Sequence, residues 1–295
     1  MPAPDTAQAL YLLRMQRVVD HIDRHLDGDL GLEVLSGIAA FSPHHFHRQF
    51  RAMFGIPLYR YVQMARMKRA ASQLAYRTET VTEIALNAGY EAPDSFARAF
   101  RQRMGQAPLA FREQPGWAAW AAAMVPLSQA RSRIMTQNFS IDNIDLREVP
   151  DTSVAIMSHH GDPDRLGETI RRFIAWRKAC GVRAANHATY TIFYTDPEIS
   201  GPDAYHIDLA TEIRRSLTTA DEGVEAGVIP GGRCAVLRVI GNSDNLRPAA
   251  EFLYGTWLPA SGEELRHFPL YAERVRFFPD VPECDAITDL LLPLK

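Results

Sequence analysis

FHRQFRAMFG at 46–55 returns as FARAFRQRMG at 96–105. Phe46/Phe96, Arg48/Arg98, Phe50/Phe100, Arg51/Arg101, Gly55/Gly105 and Tyr61/Phe111 pair at one offset of 50 residues, the signature of a duplicated structural unit. In each copy the two Phe stand four apart, on one face of a helix, and the two Arg stand three apart on a neighbouring face. Each copy therefore reads as an amphipathic helix with a buried aromatic edge and a basic edge left for a partner.

Charge follows the same division. Residues 1–115 hold 14 Lys and Arg against 11 Asp and Glu, and the remainder holds 18 against 24, within a whole-chain net of -3. No acid occurs from 34 to 78, a stretch with seven Lys or Arg and three His, and none from 95 to 112, which has four Arg. Segregated positive charge raises local affinity for phosphate even in a slightly acidic molecule.

Each repeated helix has a partner upstream. LEVLSGIAA at 32–40, a turn at Phe41, Ser42 and Pro43, and the first copy make helix, tight turn, helix. TEIALNAG at 82–89, a turn one residue longer, and the second copy repeat the pattern. Apolar spacing at Leu10, Leu13, Val18, Ile22 and Leu26 predicts a helix ahead of both. Residues 58–76 contain no interior Gly or Pro, which predicts one connecting helix of about 19 residues and roughly 30 Å. That matches about one turn of B-DNA, roughly 34 Å, so a rigid strut could set the two basic helices into successive major grooves. His44, His45, His47, Arg48 and Arg51 in the first copy, and Asp94, Ser95, Arg98 and Arg101 in the second, are the candidate DNA-binding residues, arginine being suited to bidentate contact with guanine edges and phosphates. Arg60, Arg66, Lys68, Arg69, Arg77 and Arg103 are expected to be solvated or phosphate-facing. The three His lie at i, i+1 and i+3 without a fourth ligand, so no metal is expected.

Residues 10–115 resemble the DNA-binding region of the AraC/XylS transcription regulators. The resemblance is carried by LEVLSGIAAFSPHHFHRQFRAMFG and, more diagnostically, by TEIALNAGYEAPDSFARAFRQRMGQAPLAFR. It implies two helix-turn-helix units on one helix, with their second helices, about 43–53 and 94–103, in successive major grooves. Gly55–Leu58 lacks the Ser-Pro that the family usually has after the first Gly, and Pro57 stands one place early.

A second duplication occupies the rest of the chain. Residues 154–157, Gly161, Asp164, Leu166 and Trp176 are echoed about 80 residues later by 234–237, Gly241, Asp244, Leu246 and Trp257. Each copy reads as strand, helix, strand, strand: 153–160, 164–179, 190–194 and 205–213, then 233–239, 245–257, 268–277 and 284–292. Two curved half-units facing one another would enclose a groove lined by Trp176, Tyr190, Tyr194, Trp257, Phe268 and Tyr271.

This half is similar to GyrI-like effector-binding domains, through Asp-Pro at 196–197, IPGGRCAV at 229–236, WLPASG at 257–262, FPLY at 268–271 and TDLLLPL at 288–294. In that family a Glu usually follows the last aromatic of the FPLY-like stretch and faces a cationic aromatic ligand. Here that position is Ala272, with Glu273 next. Neighbours on a strand face opposite sides, so Glu273 after a local bulge, Asp208 or Glu212 could supply the charge, and the effector's charge stays open. The candidate effector-binding residues are Trp176, Tyr190, Tyr194, Trp257, Tyr271 and Glu273.

The expected fold class is multidomain: an all-α double helix-turn-helix domain at 8–115, a linker or helical tail at 116–140, and an α+β domain of two β-α-β-β repeats at 141–295. The expected function is a DNA-binding transcription regulator governed by an aromatic or amphipathic small-molecule effector. Its expected partner is double-stranded DNA, with RNA polymerase a further candidate. Catalytic residues and cofactors are not expected, because GxSxG, GxxxxGK[ST], GxGxxG and HExxH are all missing from the sequence, which removes the usual elbow, phosphate-loop, dinucleotide and zincin chemistries. A second half acting as a hydrolase of reactive small molecules, or as a protein-binding module, are the alternatives. Three scattered cysteines, Cys180, Cys234 and Cys284, and an N-terminus without a basic-then-apolar leader lead to the expectation of a reduced, cytoplasmic protein without a membrane segment. The two copies of the basic helix are unequal, His-rich in the first and tempered by Asp94 in the second, so the first is expected to dominate sequence readout.

Overall fold

Proline opens and glycine closes both repeated helices. In α3 (Pro43–Phe54) and α6 (Pro93–Met104) the proline occupies the first turn, where its missing N–H would have had no helical partner. Gly55 and Gly105 follow at φ 75° and 72°, each donating its N–H to the arginine carbonyl four residues back, Arg51 and Arg101, at 2.9 Å. The remaining helices of this part are α1 (Pro4–Arg24), α2 (Leu32–Ala39), α4 (Leu58–Tyr76), α5 (Val81–Asn87), α7 (Pro108–Glu113) and α8 (Trp117–Ser132). α5 is begun by a reciprocal cap, Thr80 with Glu83, and its first-turn acid also suits the helix dipole. The computed structural model describes residues 4–133, 139–195, 201–214, 216–217 and 223–295. The chain divides into two units, Met1–Thr136 with Pro282–Cys284, and Gln137–Val281 with Asp285–Lys295.

The first unit has one core. Phe46, Phe50 and Phe54 of α3 and Phe96, Phe100 and Met104 of α6 are buried in it, with Tyr61, Met64, Met67, Ala71 and Leu74 of α4 between them. On α1 the buried stripe is Met15, Val18, Val19 and Ile22, whereas Leu10 and Leu13, expected inward, are both 48% exposed. Spacing alone does not choose between adjacent stripes of a helix; the neighbouring α2 does. The stretch expected as a linker or tail at 116–140 is helical in α8 and contributes Trp117, Met124, Leu127 and Ala130 to this core.

The two helix turns use different residues in the left-handed conformation. In the second, Gly89 takes φ 78°; in the first, Ala40 takes φ 53° and is the non-glycine residue with positive φ among those described. An L side chain in the left-handed region costs about 1–2 kcal/mol, part of which glycine returns as unfolded-chain entropy. Ala40→Gly is therefore expected to stabilise the first unit by about 0.5–1 kcal/mol, seen as a higher urea midpoint with unchanged slope. A lower midpoint would contradict this account of the turn.

The second unit is one eight-stranded antiparallel sheet with helices on one face. Its strands are β1 (Ile144–Val149), β2 (Thr152–His160), β3 (Thr189–Phe193), β4 (His206–Glu212), β5 (Glu225–Ile229), β6 (Gly232–Ile240), β7 (Tyr271–Arg276) and β8 (Ile287–Pro293), in the order β1-β6-β8-β7-β3-β4-β2-β5. α9 (Leu166–Ala179) follows β2, and α10 (Leu246–Phe252) follows β6, running on through a widened turn at Leu253–Trp257. The two strand-helix-strand-strand copies are thus present. They join edge to edge through β3 and β7. The sequence reading leaves out β1 and β5. Each precedes one copy yet pairs with the first strand of the other, β1 with β6 and β5 with β2, an exchange that only long-range pairing decides. The Asp-Pro pair at 196–197 lies outside the described residues.

Candidate DNA-reading helices and effector face

Burying one edge of α3 and α6 leaves the opposite edge to solvent. His44, His45, His47, Arg48 and Arg51 are exposed on α3, and Asp94, Ser95, Arg98 and Arg101 are exposed on α6. Positions 44, 48 and 51, like 94, 98 and 101, fall on one helical face. Among the described residues, no side-chain hydrogen bond or ion pair engages the guanidinium groups of Arg48, Arg51, Arg98 or Arg101.

Other cations are committed internally, which corrects the reading of Arg66, Lys68 and Arg69 as solvated or phosphate-facing. Arg66 donates Nε to the Leu26 carbonyl at 2.7 Å and Nη2 to that of Gly28 at 2.9 Å. Its guanidinium lies 2.6 Å from where a Cβ at Gly89 would sit, so a side chain there would displace it as well as take the left-handed conformation that glycine favours. Arg69 donates to the Asn87 carbonyl, and Lys68 pairs with Glu283 at 2.5 Å. No sequence signal separates these from the free arginines, because all follow the same basic-face pattern.

In the second unit the strand register places side chains on two faces. The helix-covered face holds Ala155, Met157, Ile207 and Leu209 under Phe173 and Trp176 of α9, and Ala235, Leu237, Ala272, Leu290 and Leu292 under Leu253 and Trp257. Trp176 and Trp257, expected at the effector, are therefore core residues on this face. Each falls on the inward stripe of its helix segment, as Trp176 does beside Phe173 (ring centroids 6.0 Å).

The other face carries Val154, Ile192, Ala210, Cys234, Val236, Tyr271 and Leu291 as an apolar floor. Pairing across the strands gives one row Arg238, Asp289, Glu273, Tyr190, Ala210, Ile156. The next row is Val236, Leu291, Tyr271, Ile192, Asp208, Ser158. Tyr190, Tyr271 and Glu273 are therefore neighbours: the two rings meet edge to face at 6.2 Å, and Phe268 packs on Tyr271 at 5.9 Å. Glu273 shares the face of Tyr271 because it lies two residues on. It needs no bulge, and the register irregularity of β7 comes after it, between Arg274 and Arg276. Ala272, fully buried, points to the helix side.

The acids along this face stand in different states. Asp289 is held bidentate by Arg238 at 2.7 and 2.8 Å, with Arg147 at 3.6 Å. Asp208 is buried and accepts from the Tyr194 hydroxyl at 3.0 Å, with His206 Nε2 at 3.2 Å. Tyr194 stacks on His206, and His206 on His160, at 4.1 and 4.0 Å, one row beyond Asp208. The Glu273 carboxylate has no hydrogen-bond partner among the described residues. Burial and then Asp289 raise its pKa, against the pull of Arg147 and Arg238. Glu212 is half-buried, and the hydrogen bond it accepts from Arg214 Nε at 3.1 Å lowers its pKa. Burial, then Glu273 and Glu212, push the Tyr190 hydroxyl up to about 12, so it remains a neutral hydrogen-bond donor at ordinary pH. Among the described residues no cluster of three His, Cys, Asp or Glu suits a metal ion, and no helix is long and apolar enough to cross a membrane.

Comparison with known proteins assigns both halves. Residues 142–295 match the GyrI-like small molecule binding domain, and residues 35–114 match a helix-turn-helix domain. The chain is 30% identical over 158 residues to the probable transcriptional regulator YgiV of Escherichia coli (strain K12), covering 53% of this chain and 98% of that one. It is 32% identical over 99 residues to an uncharacterized HTH-type transcriptional regulator of Staphylococcus aureus (strain COL), 34% of this chain and 13% of that protein. A solved structure of the DNA-binding domain of AdpA, a global transcriptional factor, in complex with a target DNA is 28% identical, with 36% of this chain and 90% of that one covered and a TM-score of 0.31. With its second unit matched over residues 142–295, the chain belongs to the GyrI-like small molecule binding domain family and carries an AraC-type helix-turn-helix DNA-binding domain ahead of it.

Proposed function

We propose that this chain is a cytoplasmic transcription regulator that reads two successive major grooves with α3 and α6. Its effector, in this reading, is a small aromatic cation held between Tyr190, Tyr271 and Glu273, with Tyr194 at the far end of the same face. The observation that carries the DNA half is the pair of uncommitted arginines on matching faces of α3 and α6, joined by the unbroken 19-residue α4. The effector half is carried by Glu273, a half-buried carboxylate without a hydrogen-bond partner among the described residues, beside two aromatic rings. A ligand of this kind regulates only through unequal affinity for the DNA-competent and incompetent states. Binding rather than turnover is the proposed role of the second unit.

Footprinting on DNA selected from a random pool tests the first half. Two protected patches about one helical turn apart are expected, and protection confined to one groove sinks the reading. For the second half, Glu273→Gln is expected to weaken binding of an aromatic cation about tenfold, the scale of a lost charge-assisted contact, with little change for a neutral isostere. Because Glu273 is raised and a cation prefers its ionised form, affinity is expected to fall on acidification at a higher pH than for an ordinary Glu. Calorimetric titration across pH measures this, and equal losses for cation and isostere would remove Glu273 from the site.

A further inference from the structure

Arg131 on α8 is 4% exposed and is surrounded by acid and hydroxyl groups of the first unit. It donates Nη2 to Asp23 of α1 at 2.5 Å, Nε to the Tyr61 hydroxyl of α4 at 3.1 Å, and Nη1 to Glu283. Lys68, also of α4, reaches the same Glu283, and the Cys284 thiol donates to the Asp20 carbonyl of α1 at 3.6 Å. Asp23 and Glu283 are themselves buried, at 7% exposure each. Burial raises Asp23 despite Arg131; at Glu283 burial is outweighed by Arg131 and then Lys68, which hold it low. A buried arginine satisfied by two carboxylates becomes costly when either leaves, since the remaining charge stays out of water.

Glu283 comes from an unexpected place in the chain. Residues 282–284 count with the first unit, while β7 before them and β8 after them belong to the second. Glu283 stands ten residues beyond Glu273 and six before Asp289. The two strands that carry the acids of the proposed effector face are therefore joined by a segment whose only buried carboxylate is committed to the ion cluster beneath α1, α4 and α8. α4 is also the helix that spaces α3 from α6.

We propose that Glu283 is a regulatory latch: effector contacts on β7 and β8 change its hold on Arg131 and Lys68, and this alters α4 and so the geometry of the two DNA-reading helices. The latch rests on the effector face proposed above. It is a two-state element, Glu283 engaged or released, that both ligands bias, which is the condition for coupling. Arg131 and Glu283 act here as positioning residues and touch neither DNA nor effector.

The full chain tests this. DNA affinity is measured with and without tetraphenylphosphonium, an aromatic monocation, for the wild type and Glu283→Gln, which keeps the shape and loses the charge. The wild type is expected to show at least a fivefold shift in DNA affinity. Glu283→Gln is expected to bind DNA and the cation separately within about threefold of wild type, with the shift reduced to about one. A shift that persists in Glu283→Gln overturns the latch. Amide hydrogen exchange without ligand provides an independent arm: Asp23→Asn and Glu283→Gln are each expected to change protection in both α4 and β7–β8. Changes confined to α4 overturn the latch even where the variants are less stable. If tetraphenylphosphonium does not bind the wild type, the effector reading fails, and the exchange arm alone then decides the latch.

Discussion

Phe50→Ala is expected to destabilise the first unit by about 3–5 kcal/mol, the usual cost of deleting a fully buried phenylalanine. Phe50 has no exposure, and its ring lies 5.8 Å from Phe46, 4.2 Å from Phe54 and 5.5 Å from Tyr61, the last edge to face at 87°. Removing it loses both the transferred area and three ring contacts. It also opens a cavity between α3 and α4, two rigid helices that cannot collapse on it. Urea unfolding of the full chain followed by tyrosine or tryptophan fluorescence measures the loss. A cost under about 1 kcal/mol would mean that α3 is not docked as described. Phe100, which meets Phe96 at 5.5 Å and Phe111 at 5.3 Å, is the matching position in the second copy. A comparable loss there would show that the two copies contribute equally to stability whatever their roles on DNA.

Arg48→Ala combined with Arg51→Ala is expected to weaken DNA binding about a hundredfold while leaving the fold intact. Both side chains are exposed and bear no structural contact among the described residues, so their loss removes binding without opening the core. Each contact to a base edge or phosphate is worth roughly tenfold, and each lost phosphate contact lowers the salt slope by about one. The equivalent pair, Arg98→Ala with Arg101→Ala, is expected to cost less. Asp94 occupies the position on α6 that His44 occupies on α3, and its charge opposes the phosphate backbone. Anisotropy titrations over a range of salt separate the terms. Equal losses for the two pairs would contradict the inequality of the copies, and an unchanged salt slope in both would remove these arginines from the phosphates.

What was readable in the chain was what neighbours in sequence decide. The offset of 50 residues, proline at each helix start and glycine at each helix end specified α3 and α6, and the unbroken run at 58–76 specified α4, because capping and i, i+4 spacing act within a few residues. The strand-helix-strand-strand copies were legible for the same reason. The family motifs carried the assignment of both halves to DNA and small-molecule binding.

Tertiary structure decided what depends on partners distant in sequence. It exchanged β1 and β5 between the copies, since an edge strand's own residues do not name the strand it will pair with. Register against β3 and β8 put Glu273 beside Tyr190 and turned Ala272 inward; burial by α9 and α10 drew Trp176 and Trp257 to the opposite face. Packing also sorted the arginines, leaving the Arg48 and Arg98 side chains free while Arg66 bonds backbone carbonyls and Arg131 bonds buried carboxylates. The sequence by itself determined the elements and the kind of partner each unit meets. Only the fold decided which side chains reach those partners, because desolvation penalises a charge according to what surrounds it in space and not in the chain.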